Sequence, residues 1–386
     1  MSDIFVRTRK FWSLAGQVAI VNFFLGGFNP AQPLLRADQG TSLAIAGLHG
    51  TALGMAAILA GATNSYLVHR FGRDKLSWIG LLFCGLGILI FVFSPPVSIT
   101  IWAVLVTGFG VSTVINNTLT STSHHFARNA HLAVAQVNAI AIVGFISGTL
   151  VIGTIASSFR DQWRLGLLLV LPMMIALYFS TRDKEAPAHE PDEQGRQSGK
   201  LSRGYWISWI GLYLGISSEF ATTFWAASLL TDRVGSSAAT STLAIVAYGI
   251  GMAMGRWYVG RVLGRFHADG QLLIVLIFQF LAFALFWSSH NLILSMVALF
   301  LVGVGLSVQF PLFCLRLIAF SDDRPDLAIG KSALAAGAAI ASSPLLLGIL
   351  GDQFGISRAY IMVPLLIAAT IAIVALTPSK HLEDAK

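Results

Sequence analysis

Residues 205–230 read YWISWIGLYLGISSEFATTFWAASLL and carry one charged side chain, Glu219, in an otherwise apolar or hydroxyl-bearing run. A helix needs about 20 predominantly apolar residues to cross a bilayer, so this run is long enough. A charged side chain at bilayer depth costs a few kcal/mol or more, and such residues are therefore rare and usually functional. The run predicts a transmembrane helix that carries a candidate functional carboxyl group.

The rest of the chain has the composition of a membrane protein with many spans. Of its 386 residues, 55% are hydrophobic and 11% are charged, and its mean hydropathy is +0.74. Soluble domains carry about 25% charged residues, so this chain has too few charges to cover a surface in water. Its net charge of +7 does not indicate nucleic-acid binding, because the basic residues lie between apolar runs and do not form one face. Cys84 and Cys314 both lie in apolar runs, which favours core packing over a disulfide.

Twelve apolar runs are long enough to cross a bilayer as helices. They lie near residues 12–34, 44–68, 76–94, 98–122, 132–156, 163–181, 205–230, 240–263, 271–288, 292–315, 328–350 and 358–377. A β-barrel would show short segments of alternating hydrophobicity instead. We therefore predict an all-α membrane protein with twelve transmembrane helices. The basic start, MSDIFVRTRK, has no small-residue cleavage site after it, so we expect a retained first helix and not a signal peptide.

The distribution of Lys and Arg predicts the orientation. If the N-terminus is cytoplasmic, most of the 25 basic residues fall on the inner side. The outer segments then carry only Arg36, Arg160, Arg164, Arg233 and Arg358. Because cytoplasmic loops carry an excess of Lys and Arg, we expect a multi-pass protein of the bacterial inner (plasma) membrane with both termini in the cytoplasm.

One polar stretch divides the runs into two sets of six. Residues 183–203, DKEAPAHEPDEQGRQSGKLSR, are rich in charge, Pro and Gly and predict a flexible cytoplasmic linker. The predicted domains are an N-terminal six-helix bundle, residues 1–182, and a C-terminal one, residues 204–386. The inner loops HRFGRDK at 69–75 and GRVLGRF at 260–266 occupy corresponding positions and both combine Gly with Arg. They support an internal repeat of the kind that many transporters contain.

The loop after the second run resembles the signature loop of the major facilitator superfamily. Arg70, Gly72 and Arg73 match that signature. Ser65 stands where the family has its first Gly, His69 where it has an acid, and Asp74 where a base is usual. Similar family patterns are found at Trp163–Arg164, in GVGLSVQFP at 303–311 and in PLLLGILGDQFG at 344–355. The likeness thus extends over nearly the whole chain, and it implies two pseudo-symmetric six-helix bundles.

Finer motifs look like the fucose-permease, sugar-type side of this superfamily. The resemblance is carried by Glu219 with Trp225 in the seventh run and by Gly255–Arg256 in the eighth. Two features of many drug–proton antiporters are missing. Val104 stands where they have an Arg in the fourth helix, and GFISG at 144–148 lacks their Pro. The resemblance therefore argues against multidrug antiport.

Glu219 is the acid that the sequence places at membrane depth. Counted from Tyr205 at 1.5 Å per residue, it lies about 21 Å along the helix, in the outer half. Thr222 and Thr223 share its face by helical spacing, which suits a water-filled cavity. Desolvation disfavours the carboxylate anion, so we expect Glu219 to exchange a proton near neutral pH and to couple transport to it. The alternative is a protonated or hydrogen-bonded structural Glu.

Further candidates are polar and aromatic side chains inside the predicted helices. The candidate substrate-binding residues are Asn22, Asn29, Asn116, Glu219, Thr222, Trp225, Tyr248, Gln309 and Phe310. The amides could bind a hydroxylated ligand or join helices to one another, and the aromatic rings could stack on a sugar or simply pack. The candidate gating residues are Arg70, Gly72, Arg73, Arg256 and Asp352. Arg256 could instead snorkel to the cytoplasmic interface.

No motif of enzymatic or metal chemistry stands out. The sequence has no evident nucleophile–base pair, the glycine-rich patterns follow no strand, and the adjacent His124 and His125 have no further ligands nearby. We therefore expect no enzyme activity, no cofactor and no metal.

These features predict a secondary active transporter that moves a small polar solute by alternating access, with proton symport through Glu219. Export of a small metabolite or drug is the alternative within transport. A membrane sensor or receptor that does not transport is the alternative from another class. The expected partners are the small-molecule substrate, a proton and membrane lipid, without nucleic acid, and the protein is expected to be a monomer.

Overall fold

The computed structural model describes residues 6–126, 130–181, 199–322 and 324–379, and these residues form helices without a β-strand. The helices are α1 Arg9–Phe28, α2 Gln32–Gln39, α3 Leu43–Phe71, α4 Arg73–Phe93, α5 Val97–His125, α6 Ala130–Ser158, α7 Val170–Thr181, α8 Arg203–Val234, α9 Ala238–Ala244, α10 Val246–Leu263, α11 Ala268–Ser288, α12 Leu292–Leu306, α13 Gln309–Ala319, α14 Pro325–Phe354, α15 Ile356–Ala359 and α16 Met362–Leu376. The prediction of an all-α protein is confirmed. Most of the predicted linker, residues 183–198, lies outside the described residues.

Eleven helical segments of the described chain are long and apolar enough to cross a membrane. They correspond to the predicted runs except 205–230, which is present as the 32-residue helix α8. Helix α8 is longer than the predicted run at both ends but more polar than the other spans, because Glu219 and many Ser and Thr residues interrupt its apolar sequence. The additional residues place Glu219 near the centre of the helix.

Several predicted spans contain breaks. The first is interrupted by a 3-10 segment, Asn29–Ala31, between α1 and α2, where the sequence has Pro30 and Pro33. The sixth begins as a 3-10 segment, Arg160–Leu169, before it becomes α7. The eighth and tenth are each split into two helices, α9 with α10 and α12 with α13. Proline explains the first break, since it removes a backbone donor and clashes with the preceding turn.

The chain divides into two compact units. One comprises Met1–Phe28 and Ala56–Gln194, and the other comprises Asn29–Met55 and Gly195–Lys386. Helix α3 therefore contributes to both. Within the first unit α1 packs on α6 and on α7, and α4 packs on α5. Within the second unit the equivalent contacts recur, with α8 on α14 and on α16, and α11 on α12. This repetition of helix pairs agrees with the internal repeat that the sequence indicates.

Glycines allow the main helix pair of the first unit to pack backbone against backbone. A Cβ placed at Gly26 of α1 would lie 2.0 Å from the carbonyl oxygen of Phe145 in α6. A Cβ at Gly148 of α6 would likewise lie 2.0 Å from the carbonyl oxygen of Phe23. The hydroxyl of Thr149 donates a hydrogen bond of 2.7 Å to the Gly26 carbonyl oxygen. Small residues at helix contacts give close approach where lipid provides no hydrophobic drive for association.

Each unit has an ion pair at the first turn of its third long helix. In the first unit Lys10 pairs with Asp74 of α4, and both side chains are partly exposed, at 23% and 31%. In the second unit Asp269 of α11 lies 2.6 Å from Arg316 of α13, with side chains 6% and 0% exposed. A carboxylate in the first turn of a helix interacts favourably with the helix dipole. The two carboxylates thus occupy equivalent positions, but their basic partners lie on non-equivalent helices and the two pairs differ in burial.

The buried pair also holds the end of the last helix. Arg316 donates to Ser208 Oγ of α8 at 3.1 Å, to Thr377 Oγ1 at 2.7 Å, and to the Thr377 carbonyl oxygen. The Asp269 carboxylate accepts from the backbone N–H and the hydroxyl of Ser379 at 2.7 and 2.9 Å. One ion pair therefore connects α8, α11, α13 and the residues that follow α16.

Candidate substrate and proton site

Glu219 and Tyr248 face each other within the second unit. The hydroxyl of Tyr248 on α10 donates a hydrogen bond to Glu219 Oε1 on α8, at 3.2 Å. Tyr248 is 3% exposed, whereas Glu219 is half-buried. The carboxyl group thus accepts one hydrogen bond, from a neutral donor.

Arg256 belongs to the same group. It lies two helical turns after Tyr248 on α10, so the two residues share one side of that helix. The guanidinium of Arg256 interacts electrostatically with the Glu219 carboxyl and with the Tyr248 hydroxyl. In the described part of the chain Arg256 makes no ion pair or hydrogen bond, and its side chain is exposed. Glu219, Tyr248 and Arg256 form the group that we call the carboxyl–guanidinium cluster.

Two candidates next to Glu219 on α8 are fixed by packing. Thr222 is fully buried, and its hydroxyl donates to the Ser218 carbonyl oxygen at 2.7 Å. Trp225 is also fully buried, and its indole N–H donates to the Pro344 carbonyl oxygen at 2.8 Å. These contacts favour the packing alternative for Trp225 in this conformation, and its substrate-binding role stays a prediction.

Gln309 joins a buried amide network. Its Nε2 donates to Gln279 Oε1 at 2.8 Å, and Gln279 Nε2 donates to Ser218 Oγ at 3.1 Å. Gln279 is fully buried and was not among the sequence candidates, although it is an amide in an otherwise apolar run. The network favours interhelical bonding for Gln309. Phe310, next to it, is 45% exposed and can contact a ligand or lipid.

The three Asn candidates lie in different surroundings. In the first unit, Asn22 donates to the Val18 carbonyl oxygen of its own helix at 2.9 Å, and Asn116 is half-buried. The neighbour of Asn116, Asn117, donates to Asn64 Oδ1 of α3 at 2.8 Å. In the second unit, Asn29 is 4% exposed, and its Oδ1 has no hydrogen-bond partner among the described residues.

The inner gating candidates form a turn between α3 and α4. Gly72 has φ 78° and ψ 152°, a conformation that side-chain-bearing residues rarely adopt, and this explains the Gly of the signature loop. Arg70 donates to the Tyr66 hydroxyl at 3.3 Å and is exposed, and Arg73 is half-buried. His69 stands where the family has an acid, so the loop lacks that carboxylate.

Asp352 caps the N-terminus of α3 within the second unit. Its Oδ1 accepts from the backbone N–H of Leu43 and its Oδ2 from that of Ala44, both at 2.8 Å. Arg36 is within electrostatic reach of the same carboxylate. The first backbone N–H groups of a helix have no partner inside it, so Asp352 of α14 supplies one from another helix. The turn that follows uses Gly355 at φ 81°.

The described residues contain no group of three or more His, Cys, Asp or Glu residues that could hold a metal ion. Cys84 and Cys314 are both free thiols.

Comparison with known proteins identifies the family. The family model of the Major Facilitator Superfamily matches residues 14–315. An uncharacterized MFS-type transporter of Yersinia pestis is 26% identical over 175 residues, which is 45% of this chain and 46% of that protein. The match thus spans about half the length of that curated relative.

Solved transporter structures share the fold. The nucleoside transporter NupG has a TM-score of 0.78 at 11% identity, covering 96% of this chain and 99% of that one. A bacterial homologue of the human lysosomal transporter Spinster, inward-facing and occupied, gives 0.76 at 12% identity, covering 98% and 99%. The Escherichia coli fucose:proton symporter FucP gives 0.64 at 13% identity, covering 95% and 97%. At these identities the likeness shows the fold alone.

The family match over most of the chain and the long apolar helices lead to one assignment. The chain belongs to the Major Facilitator Superfamily and is a multi-pass membrane transporter, not an enzyme.

Proposed function

We propose that the protein is a proton-coupled symporter that moves a small polar solute across the bacterial inner membrane by alternating access. The observation that carries the proposal is the carboxyl–guanidinium cluster, in which half-buried Glu219 lies near the centre of α8. Ionisable residues inside transmembrane segments commonly mark proton relays and substrate pathways.

The contacts of Glu219 suit a group that gains and loses a proton. Its side chain accepts one hydrogen bond, from the neutral hydroxyl of Tyr248. Protonation of the carboxyl would therefore break no ion pair, whereas protonation of Asp269 would break its pair with buried Arg316. A group of this kind can change charge during transport at a small cost in stability.

The substrate class is proposed from the candidate side chains of each unit and from the names of similar proteins. Asn116 is the half-buried amide candidate of the first unit, and Phe310 is the exposed aromatic candidate of the second. Two of the similar structures are described as a nucleoside transporter and a fucose:proton symporter, and both solutes are small and hydroxylated. On this proposal Arg70, Gly72 and Arg73 act in the inner gate and Asp352 acts in the outer one. The predicted domain division at 183–203, the cytoplasmic termini and the monomeric state belong to the same proposal.

The test is solute accumulation in proteoliposomes with an imposed pH gradient. Wild-type protein should accumulate its substrate inside alkaline vesicles, and Glu219→Gln should keep counterflow but lose the dependence on the gradient. Asp232→Asn is the matched control, since Asp232 lies on the same helix and contacts Ser357 Oγ at 2.8 Å, outside the cluster. An unchanged gradient dependence in Glu219→Gln would refute proton coupling through this residue. Accumulation against the opposite gradient would identify an exporter, and binding without translocation a sensor.

A further inference from the structure

We propose that the transported solute carries one negative charge, a carboxylate or a group of similar acidity, and that Arg256 binds it. This inference rests on the proposed function, since it concerns the substrate of the same site. It starts from the guanidinium of Arg256, which is exposed, lies on a transmembrane helix and makes no ion pair or hydrogen bond within the described chain.

The positive charge of Arg256 needs a compensating negative charge, because it lies within a transmembrane helix. Charged side chains within transmembrane segments pair with one another or line water-filled paths, because transfer to the apolar core is expensive. The negative charge that interacts with Arg256 is the Glu219 carboxylate. Tyr248 is the other group that interacts electrostatically with Arg256. With Glu219 ionised the cluster is neutral.

Proton uptake by Glu219 would change the net charge of the cluster. When Glu219 takes up the proton, the cluster carries one uncompensated positive charge, that of Arg256. A neutral solute bound at the same time would leave that charge in place. A solute with one negative charge would cancel it, so the loaded cluster and the empty cluster would both be neutral. The two forms that must cross between the outer and inner states would then have equal charge.

The geometry also leaves the donors of Arg256 available. Buried Arg316 uses its guanidinium on Asp269, Ser208 and Thr377, and its role is structural. Arg256 makes no such contacts, and a guanidinium offers a planar pair of N–H donors that matches a carboxylate. The hydroxyl of Tyr248 donates a hydrogen bond to Glu219, so a change in the charge of the carboxyl would change the strength of this hydrogen bond.

The experiment compares acids with neutral partners of the same shape. Purified protein in detergent is tested by thermal shift against galacturonate and galactose, lactate and lactamide, and succinate monomethyl ester and its amide. We expect the acid of the best-binding pair to stabilise the protein and its neutral partner to bind at least about 30-fold more weakly, since losing one partner of a desolvated charge pair costs about 2 kcal/mol or more. Arg256→Gln should abolish this preference. Arg261→Gln is the matched control, as Arg261 lies on the same helix over the Trp257 ring.

A neutral solute that binds as tightly as its acid, or an unchanged preference in Arg256→Gln, would overturn the inference. Binding is measured without a membrane gradient, so this outcome is independent of proton coupling. A second measurement uses transport of the acid in vesicles with a potassium diffusion potential. One proton and one anion give electroneutral uptake, so the potential should leave the initial rate unchanged, and a rate that follows the potential would also overturn the inference.

Discussion

The buried Asp269–Arg316 pair is expected to dominate the stability of the second unit. Replacement of Arg316 by Met removes the hydrogen bonds to Ser208 and Thr377 and leaves the Asp269 carboxylate buried without its cation. Removal of one partner of a buried pair typically costs about 3–5 kcal/mol. At about 2–4 °C per kcal/mol for a domain of 150–250 residues, Tm should fall by roughly 6–20 °C.

The assay is thermal unfolding in detergent, followed by tryptophan fluorescence, for the variants Arg316→Met, Asp269→Asn and both together. The double variant should be less destabilised than the sum of the single ones, because the second change removes the charge that the first leaves unpaired. Lys10→Met is the control, since its partner Asp74 occupies the position equivalent to Asp269, but the Lys10–Asp74 pair is partly exposed and should contribute about 1 kcal/mol at most. Equal losses for Lys10→Met and Arg316→Met, or additive losses in the double variant, would refute the reasoning.

Three further predictions follow from individual contacts. Trp225→Phe removes the indole N–H that donates to the Pro344 carbonyl oxygen, so Tm should fall by a few degrees. The KM for transport should change less than about twofold, and a large rise in KM would indicate that Trp225 contacts the substrate. Gly26→Ala should sharply reduce folded yield in membranes, since its Cβ would meet the Phe145 carbonyl, whereas Gly61→Ala, where a Cβ meets nothing within 4 Å, should be tolerated; equal yields would contradict the packing argument. Asp352→Ala removes two backbone hydrogen bonds from the start of α3 and should increase thiol labelling of a cysteine introduced at Ser42, and unchanged labelling would argue against an outer gating role.

The helical architecture could be predicted from sequence because bilayer thickness sets a length that apolar runs must match. The break at Asn29–Ala31 followed from Pro30 and Pro33. Neither the α9–α10 break nor the α12–α13 break was predicted. Pro311 explains the second, since it cannot donate to the Ser307 carbonyl oxygen and its ring clashes with that carbonyl. No proline lies at the first. The position of Glu219 along its helix also depended on the structure, because α8 continues four residues past the predicted end.

The candidate site could be predicted in part. Glu219 and Tyr248 were identified separately, and the structure joins them through a hydrogen bond. Arg256 was predicted as a gate or a snorkelling residue, whereas its electrostatic link to Glu219 depends on how α8 and α10 pack. Asp269 was not among the sequence candidates, and its pairing with Arg316 required the fold. Pairing across distant helices leaves no periodic signal in the sequence.

Glu219 is proposed to carry the coupled proton, and this is measured directly as proton movement. Substrate is added to weakly buffered proteoliposomes, and the external pH is followed. We predict alkalinisation at about one proton per solute taken up for the wild type and for Asp232→Asn, and none for Glu219→Gln, which should still exchange substrate. Proton uptake by Glu219→Gln equal to that of the wild type would contradict the account.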